Sequence, residues 1–90
     1  MRSFDAYKKR ALKNPAIKAE YDALEEEFAL AGALIGARAK AKLTQEEVAR
    51  RMGTSQSAVA RMESGRAMPS TASLRKYAHA VGRKLKVALA

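Results

Sequence analysis

Ninety residues with a net charge of +9 and no cysteine allow one small core, and exclude a disulfide scaffold, a thiolate metal site and a cysteine nucleophile. The only histidine, His79, excludes a histidine-rich metal site, and abundant alanine with few aromatic residues favours helices over sheets. The longest apolar stretch, Phe28 to Ala37, is about half of the ~20 residues a spanning helix needs, and the charged start MRSFDAYKKRALK lacks a signal peptide's apolar run, so no membrane attachment and a cytoplasmic location are expected.

The charge is unevenly placed. Residues 1–30 hold six Lys/Arg and six Asp/Glu, whereas residues 31–90 hold twelve Lys/Arg and three acids, Glu46, Glu47 and Glu63. A neutral front on a basic body points to two surfaces for two different partners.

In chain order, Phe4, Tyr7 and Leu12 lie among Lys8, Lys9, Arg10 and Lys13, which suits a short helix or a segment that orders only on a partner. Asn14-Pro15 marks a helix start. From there Ile17, Tyr21, Leu24, Phe28, Ala31 and Ile35 recur at alternating spacings of four and three, an apolar stripe sustained to about Ala41. Unbroken, that helix spans ~40 Å at 1.5 Å per residue, so its early part projects from the body or folds back on it. Gly32 and Gly36 offer either a break or a close approach of another helix. Core packing and partner binding are both open for Tyr7, Tyr21 and Phe28.

Thr44 caps a second helix and Glu47 completes a capping box; Val48, Ala49 and Met52 face inward and Gly53 ends it. A third helix starts at Ser55 or Thr54, turns Val59 and Met62 inward and ends at Gly65. Pro69-Ser70 introduces a fourth, with Leu74, Tyr77, Ala78 and Val81 inward and Gly82 as its stop. In the last eight residues Leu85, Val87 and Leu89 alternate with Lys84, Lys86 and Ala88, the period of a short β-strand that needs a mate.

The stretch Gln45–Ser64 has the spacing of a helix-turn-helix, whose second helix lies in the DNA major groove. With Val59 and Met62 inward, that helix turns Gln56, Ser57, Ala60 and Arg61 outward; Gln pairs bidentately with adenine and Arg with guanine. The acids have no accompanying base, nucleophile or phosphate loop, so no enzyme and no cofactor is expected.

Residues 43–82, with TQEEVA, GTSQSAVARMESG and PS in register, resemble the XRE (λ repressor/Cro-type) helix-turn-helix family. The resemblance implies an all-α, five-helix domain, here with an extended N-terminal helical segment and a short C-terminal β-strand. It implies a phosphate contact for Gln45, base reading by Gln56, Ser57 and Arg61, further phosphates at Ser64 and Arg66, and a structural ion pair of Arg38 with Glu63. The DNA-binding set is completed by Thr54 and Ser55. Thr71 departs from the family, which has an apolar residue there.

The longer stretch YKKRALKNPAIKAEYDALEEEFALAGALIGARAKAKLTQ resembles antitoxins of the HigA type. That likeness implies neutralisation of a basic RelE/HigB-like ribonuclease toxin and repression of the antitoxin's own operon. Residues 1–28 are then the toxin-neutralising segment, with Phe4, Tyr7, Leu12, Ile17, Tyr21, Leu24 and Phe28 in contact; residues 29–82 are the DNA-binding domain and 83–90 the strand. The expected partners are the toxin, double-stranded operator DNA bearing an inverted repeat, and a second copy, since paired recognition helices ~34 Å apart read a palindrome. Two other readings stay open: a stand-alone XRE-type repressor, and a general nucleic-acid binder acting through charge alone.

Overall fold

Local chemistry starts each helix. In the computed structural model, which describes residues 13–89, the Asn14 side chain accepts the Ala16 N–H at 3.0 Å and α1 runs Pro15–Lys40. Thr44 Oγ1 accepts the Glu47 N–H and the Glu47 carboxylate accepts the Thr44 N–H, both at 3.1 Å, a complete capping box for α2, Gln45–Met52. The Ser55 hydroxyl accepts the Ala58 N–H at 3.2 Å to open α3, Gln56–Met62; Ser70 does the same for α4, Thr71–Ala80, by accepting the Ser73 N–H at 3.1 Å. Such caps contribute ~1 kcal/mol each. Gly53 ends α2 at φ 72°, a left-handed conformation that side-chain-bearing residues rarely adopt.

The core is one cluster: Leu34 from α1, Val48 and Ala49 from α2, Val59 and Met62 from α3, and Tyr77, Ala80 and Val81 from α4 and its end. Val48 and Val59 are fully buried, each removing an apolar side chain from water for ~1.5–3 kcal/mol. Leu30, Ala37, Ala41, Leu43, Met52 and Leu74 close around them.

Two expectations need correction. Four helices, not five, are present among the described residues. Residues 15–40 form one helix: α1 passes Gly32 and Gly36 unbroken, and nothing beyond the helix's own adjoining backbone lies within 4 Å of where a Cβ on either would stand. Alanine-rich and without proline after its first residue, α1 has nothing to stop it before Lys40.

Second, the C-terminal strand is not formed. Residues 83–89 adopt no regular secondary structure, with Leu85 half-buried while Val87 is 75% and Leu89 98% exposed. Period two gives a strand its faces; pairing with a second strand gives it a ladder, and no such ladder forms among the described residues.

Between the two readings left open for the stripe along α1, the core takes a different face of the helix. Leu30, Leu34, Ala37 and Ala41 pack inward, centred roughly 140° around the helix from Ile17, Tyr21, Leu24 and Phe28. Ala31 is buried between these faces, but Ile35 falls on the outer line and is 41% exposed. Thr71 is the exposed first residue of α4.

Candidate nucleic-acid interface and partner face

Helix α3 is short and braced from behind. Val59 and Met62 fix its inner face, so Gln56, Ser57 and Arg61 stand exposed on the outer one. Beside Arg61 an open cleft of about 310 Å³ separates it from α4, with Thr54, Ser73 and Lys76 on its walls. Lys76 thus adds a second positive charge near Arg61; only the packing of α4 on the α2–α3 pair brings it there.

Beneath α3 lies a buried polar network. Arg38 grips Glu63 with two parallel bonds, Nε to Oε2 and Nη2 to Oε1, both 2.9 Å, and donates a third to the Leu43 carbonyl at 3.1 Å. The ion pair implied by the family resemblance is therefore present. Gln45 donates to Glu63 Oε1 at 3.2 Å, and the Tyr77 hydroxyl lies 2.7 Å from Glu63 Oε2 and 2.8 Å from the Leu34 carbonyl. The hydroxyl has one proton, and the carboxylate is the stronger acceptor. No buried side-chain polar atom among the described residues lacks a partner.

The charges respond to this arrangement. Burial pushes the Glu63 carboxyl up, but donors from Arg38, Tyr77 and Gln45 outweigh it and hold it below the usual carboxylate range. The hydrogen bond to Glu63 raises the Arg38 guanidinium; burial, then the Glu63 carboxylate, raises the Tyr77 phenol. Glu63 is thus a fixed anion of the scaffold.

The network reaches the surface. Gln56 donates to Gln45 Oε1 at 3.4 Å, so the chain Glu63–Gln45–Gln56 ties the first residue of α3 to the buried carboxylate. Gln45, half-buried, has both ends of its amide engaged within the protein. Ser55 serves as a cap. Ser64 shapes the turn after α3, donating to the Arg61 carbonyl at 2.7 Å and accepting the Arg66 N–H at 3.2 Å. Thr54 is exposed in the turn after α2, and Arg66 is exposed after α3.

The other sequence-predicted face lies along α1. Ile17, Leu24 and Phe28 are 41%, 50% and 61% exposed, with Tyr21 half-buried on the same line. From Pro15 to Leu30 five acids, Glu20, Asp22, Glu25, Glu26 and Glu27, stand against one cation, Lys18. At 100° per residue Glu25 flanks the apolar line on one side, and Glu20 and Glu27 on the other. Phe4, Tyr7 and Leu12 lie outside the described residues. No helix among the described residues is long and apolar enough to cross a membrane.

Two short helices joined at a left-handed glycine, the second presenting a polar face from a buried brace, define a helix-turn-helix protein. The chain belongs to the helix-turn-helix family, whose pattern matches residues 35–87. Its curated relatives include antitoxin HigA1 of Mycobacterium tuberculosis, from strains CDC 1551 / Oshkosh and ATCC 25618 / H37Rv, each 36% identical over 76 residues. The match covers 84% of this chain and 51% of the relatives, so the chain spans about half the length of the curated relatives it matches. No solved structure matches.

Proposed function

We propose that this protein is a DNA-binding antitoxin. It represses its own operon as a dimer on an inverted repeat and neutralises a small basic toxin of the RelE/HigB type. The observation that carries the DNA half is the exposure of Gln56, Ser57 and Arg61 on a helix held from behind by Val59 and Met62. A helix so presented fits the major groove, where Gln56 meets adenine and Arg61 guanine. Arg66 and the Ser64 turn take phosphates; Gln45 acts through Gln56, holding its amide in place.

The toxin half rests on the acid-flanked line Ile17–Tyr21–Leu24–Phe28, an amphipathic helix face that matches a basic surface with apolar anchors. The likeness to relatives named as antitoxins supports the same reading.

The test has two arms. Footprinting over the upstream region of its own operon, with excess competitor DNA, is expected to protect one inverted repeat; protection that vanishes with competitor leaves only charge-driven binding. Co-expression with a small basic RelE-type protein encoded beside it is expected to yield a stable complex, lost in Leu24→Asp with the footprint intact. A complex indifferent to Leu24→Asp refutes the α1 assignment.

A further inference from the structure

The buried carboxylate fixes more than the seat of α3. Arg38 Nε and the Tyr77 hydroxyl meet Glu63 Oε2, while Arg38 Nη2 and the Gln45 amide meet Oε1. The Glu63 side chain is 2% exposed, so these protein groups carry the whole demand of the ion. An ionised carboxylate has no hydrogen to give. Gln45, 3.2 Å away, therefore turns its Nε2 inward and its Oε1 outward. That outward oxygen also only accepts, so Gln56 turns its own Nε2 towards it, at 3.4 Å. One N–H of the exposed Gln56 amide is thus engaged. The other N–H and Oε1 remain in a fixed order, donor on the Gln45 side and acceptor beyond it. A glutamine alone on a helix surface shows either order, because the torsion that turns its amide over is broad and roughly two-fold.

We infer that Glu63, buried and out of reach of DNA, determines specificity: its charge, relayed through Gln45, sets the donor–acceptor order that Gln56 shows to a base edge. The inference rests on the DNA reading above and deepens it. Adenine offers an acceptor at N7 and a donor at N6, which a glutamine matches in one order only. Glu63→Gln removes the rule. Where the new amide turns its N–H to Gln45, Gln45 reverses and Gln56 reverses with it. Where it turns that N–H to Tyr77, the hydroxyl accepts it and donates to the Leu34 carbonyl 2.8 Å away, and Gln45 keeps its sense. Each arrangement loses one Arg38 bond, so neither is enforced. With half of the molecules in the right sense, affinity for the preferred base falls only about twofold. Discrimination is lost because edges of the opposite order gain.

Duplexes selected from a random pool by the wild-type protein define its preferred site, and the position where Gln56→Ala removes the preference is the one Gln56 reads. There the wild type is expected to favour one base pair by about tenfold or more. Glu63→Gln is expected to bring that ratio below about threefold, with other positions unchanged and affinity for the preferred duplex down about twofold. Tyr77→Phe removes a bond to the same carboxylate but leaves its charge, and is expected to lose stability and keep the ratio. A full preference in Glu63→Gln, a loss spread evenly over all positions, or an equal loss in Tyr77→Phe overturns the inference.

A rescue avoids dependence on the single variant's fold. Adding Gln45→Glu to Glu63→Gln moves the anion one step outward, where it accepts both from the new amide and from Gln56 Nε2. The order returns, so the double variant is expected to recover a ratio of about tenfold even as the displaced charge weakens all duplexes alike. A double variant that stays relaxed overturns the relay. A wild-type protein without a preferred site, or a Gln56→Ala variant that changes none of its positions, refutes the DNA reading itself, an outcome distinct from all of these.

Discussion

Arg38→Ala tests the buried network most directly. It removes two charge-assisted bonds to Glu63 and one to the Leu43 carbonyl, and leaves a carboxylate whose side chain is 2% exposed. Breaking a buried pair from one side costs about 3–5 kcal/mol. Tyr77 and Gln45 still donate, at 2.7 and 3.2 Å, which places the loss at the lower end, about 3 kcal/mol.

A small domain has about 5–15 kcal/mol in total, so this is a large fraction; at roughly 4–8 °C per kcal/mol the Tm falls by at least about 12 °C. Glu63→Gln is the contrast. It keeps a polar group beside Tyr77 and leaves the charge on Arg38, whose side chain is 20% exposed and reaches water, so its cost is about 1–2 kcal/mol. Urea unfolding followed by far-UV circular dichroism measures both. A loss from Arg38→Ala smaller than that from Glu63→Gln, or below about 1 kcal/mol as for a surface pair, refutes the reasoning.

Acid stability follows from the same carboxylate: its folded-state pKa lies below the ordinary 4.5, so its contribution is present above that value and disappears as pH falls through the folded value. The Tm of Glu63→Gln is therefore expected to fall less steeply than wild type below pH 4.5; identical acid slopes would exclude Glu63 as the source. Gly53→Ala and Gly65→Ala both place a side chain at left-handed φ, 72° and 73°, at about 1–2 kcal/mol each. Only Gly65 also meets Phe28, so Gly65→Ala is expected to cost more, and Phe28→Ala to erase the excess; equal losses by urea unfolding would mean the ring yields freely. On operator DNA, Arg61→Ala is expected to lose about 1–3 kcal/mol and blur one base pair, whereas Arg66→Ala weakens all sequences and reduces the salt slope by about one unit. Binding isotherms across salt and site variants separate these, and exchanged outcomes would mean that the two arginines have each other's roles.

Every helix start among the described residues was legible in the sequence, because a cap is a bond over two or three positions: Asn14 to Ala16, Thr44 to Glu47, Ser55 to Ala58 and Ser70 to Ser73. The outward face of α3 was legible too, since Val59 and Met62 leave Gln56, Ser57 and Arg61 only one side to occupy. The local pattern could not decide between competing apolar faces of α1. Leu34 and Ile35 are neighbours of equal hydrophobicity, and the packing of Tyr77 and Val48 selects Leu34.

Likewise, the alternation of Leu85, Val87 and Leu89 expresses a preference that no strand pairing fulfils among the described residues. By itself, the order of residues determined the local elements and the polar face offered to DNA, both products of short-range bonds and periodicity. Tertiary structure alone decided which side of α1 is covered, that Gln45 is held by Glu63, and that Phe28 rests on Gly65. Each of these joins groups far apart along the chain, and their meeting depends on how whole helices pack.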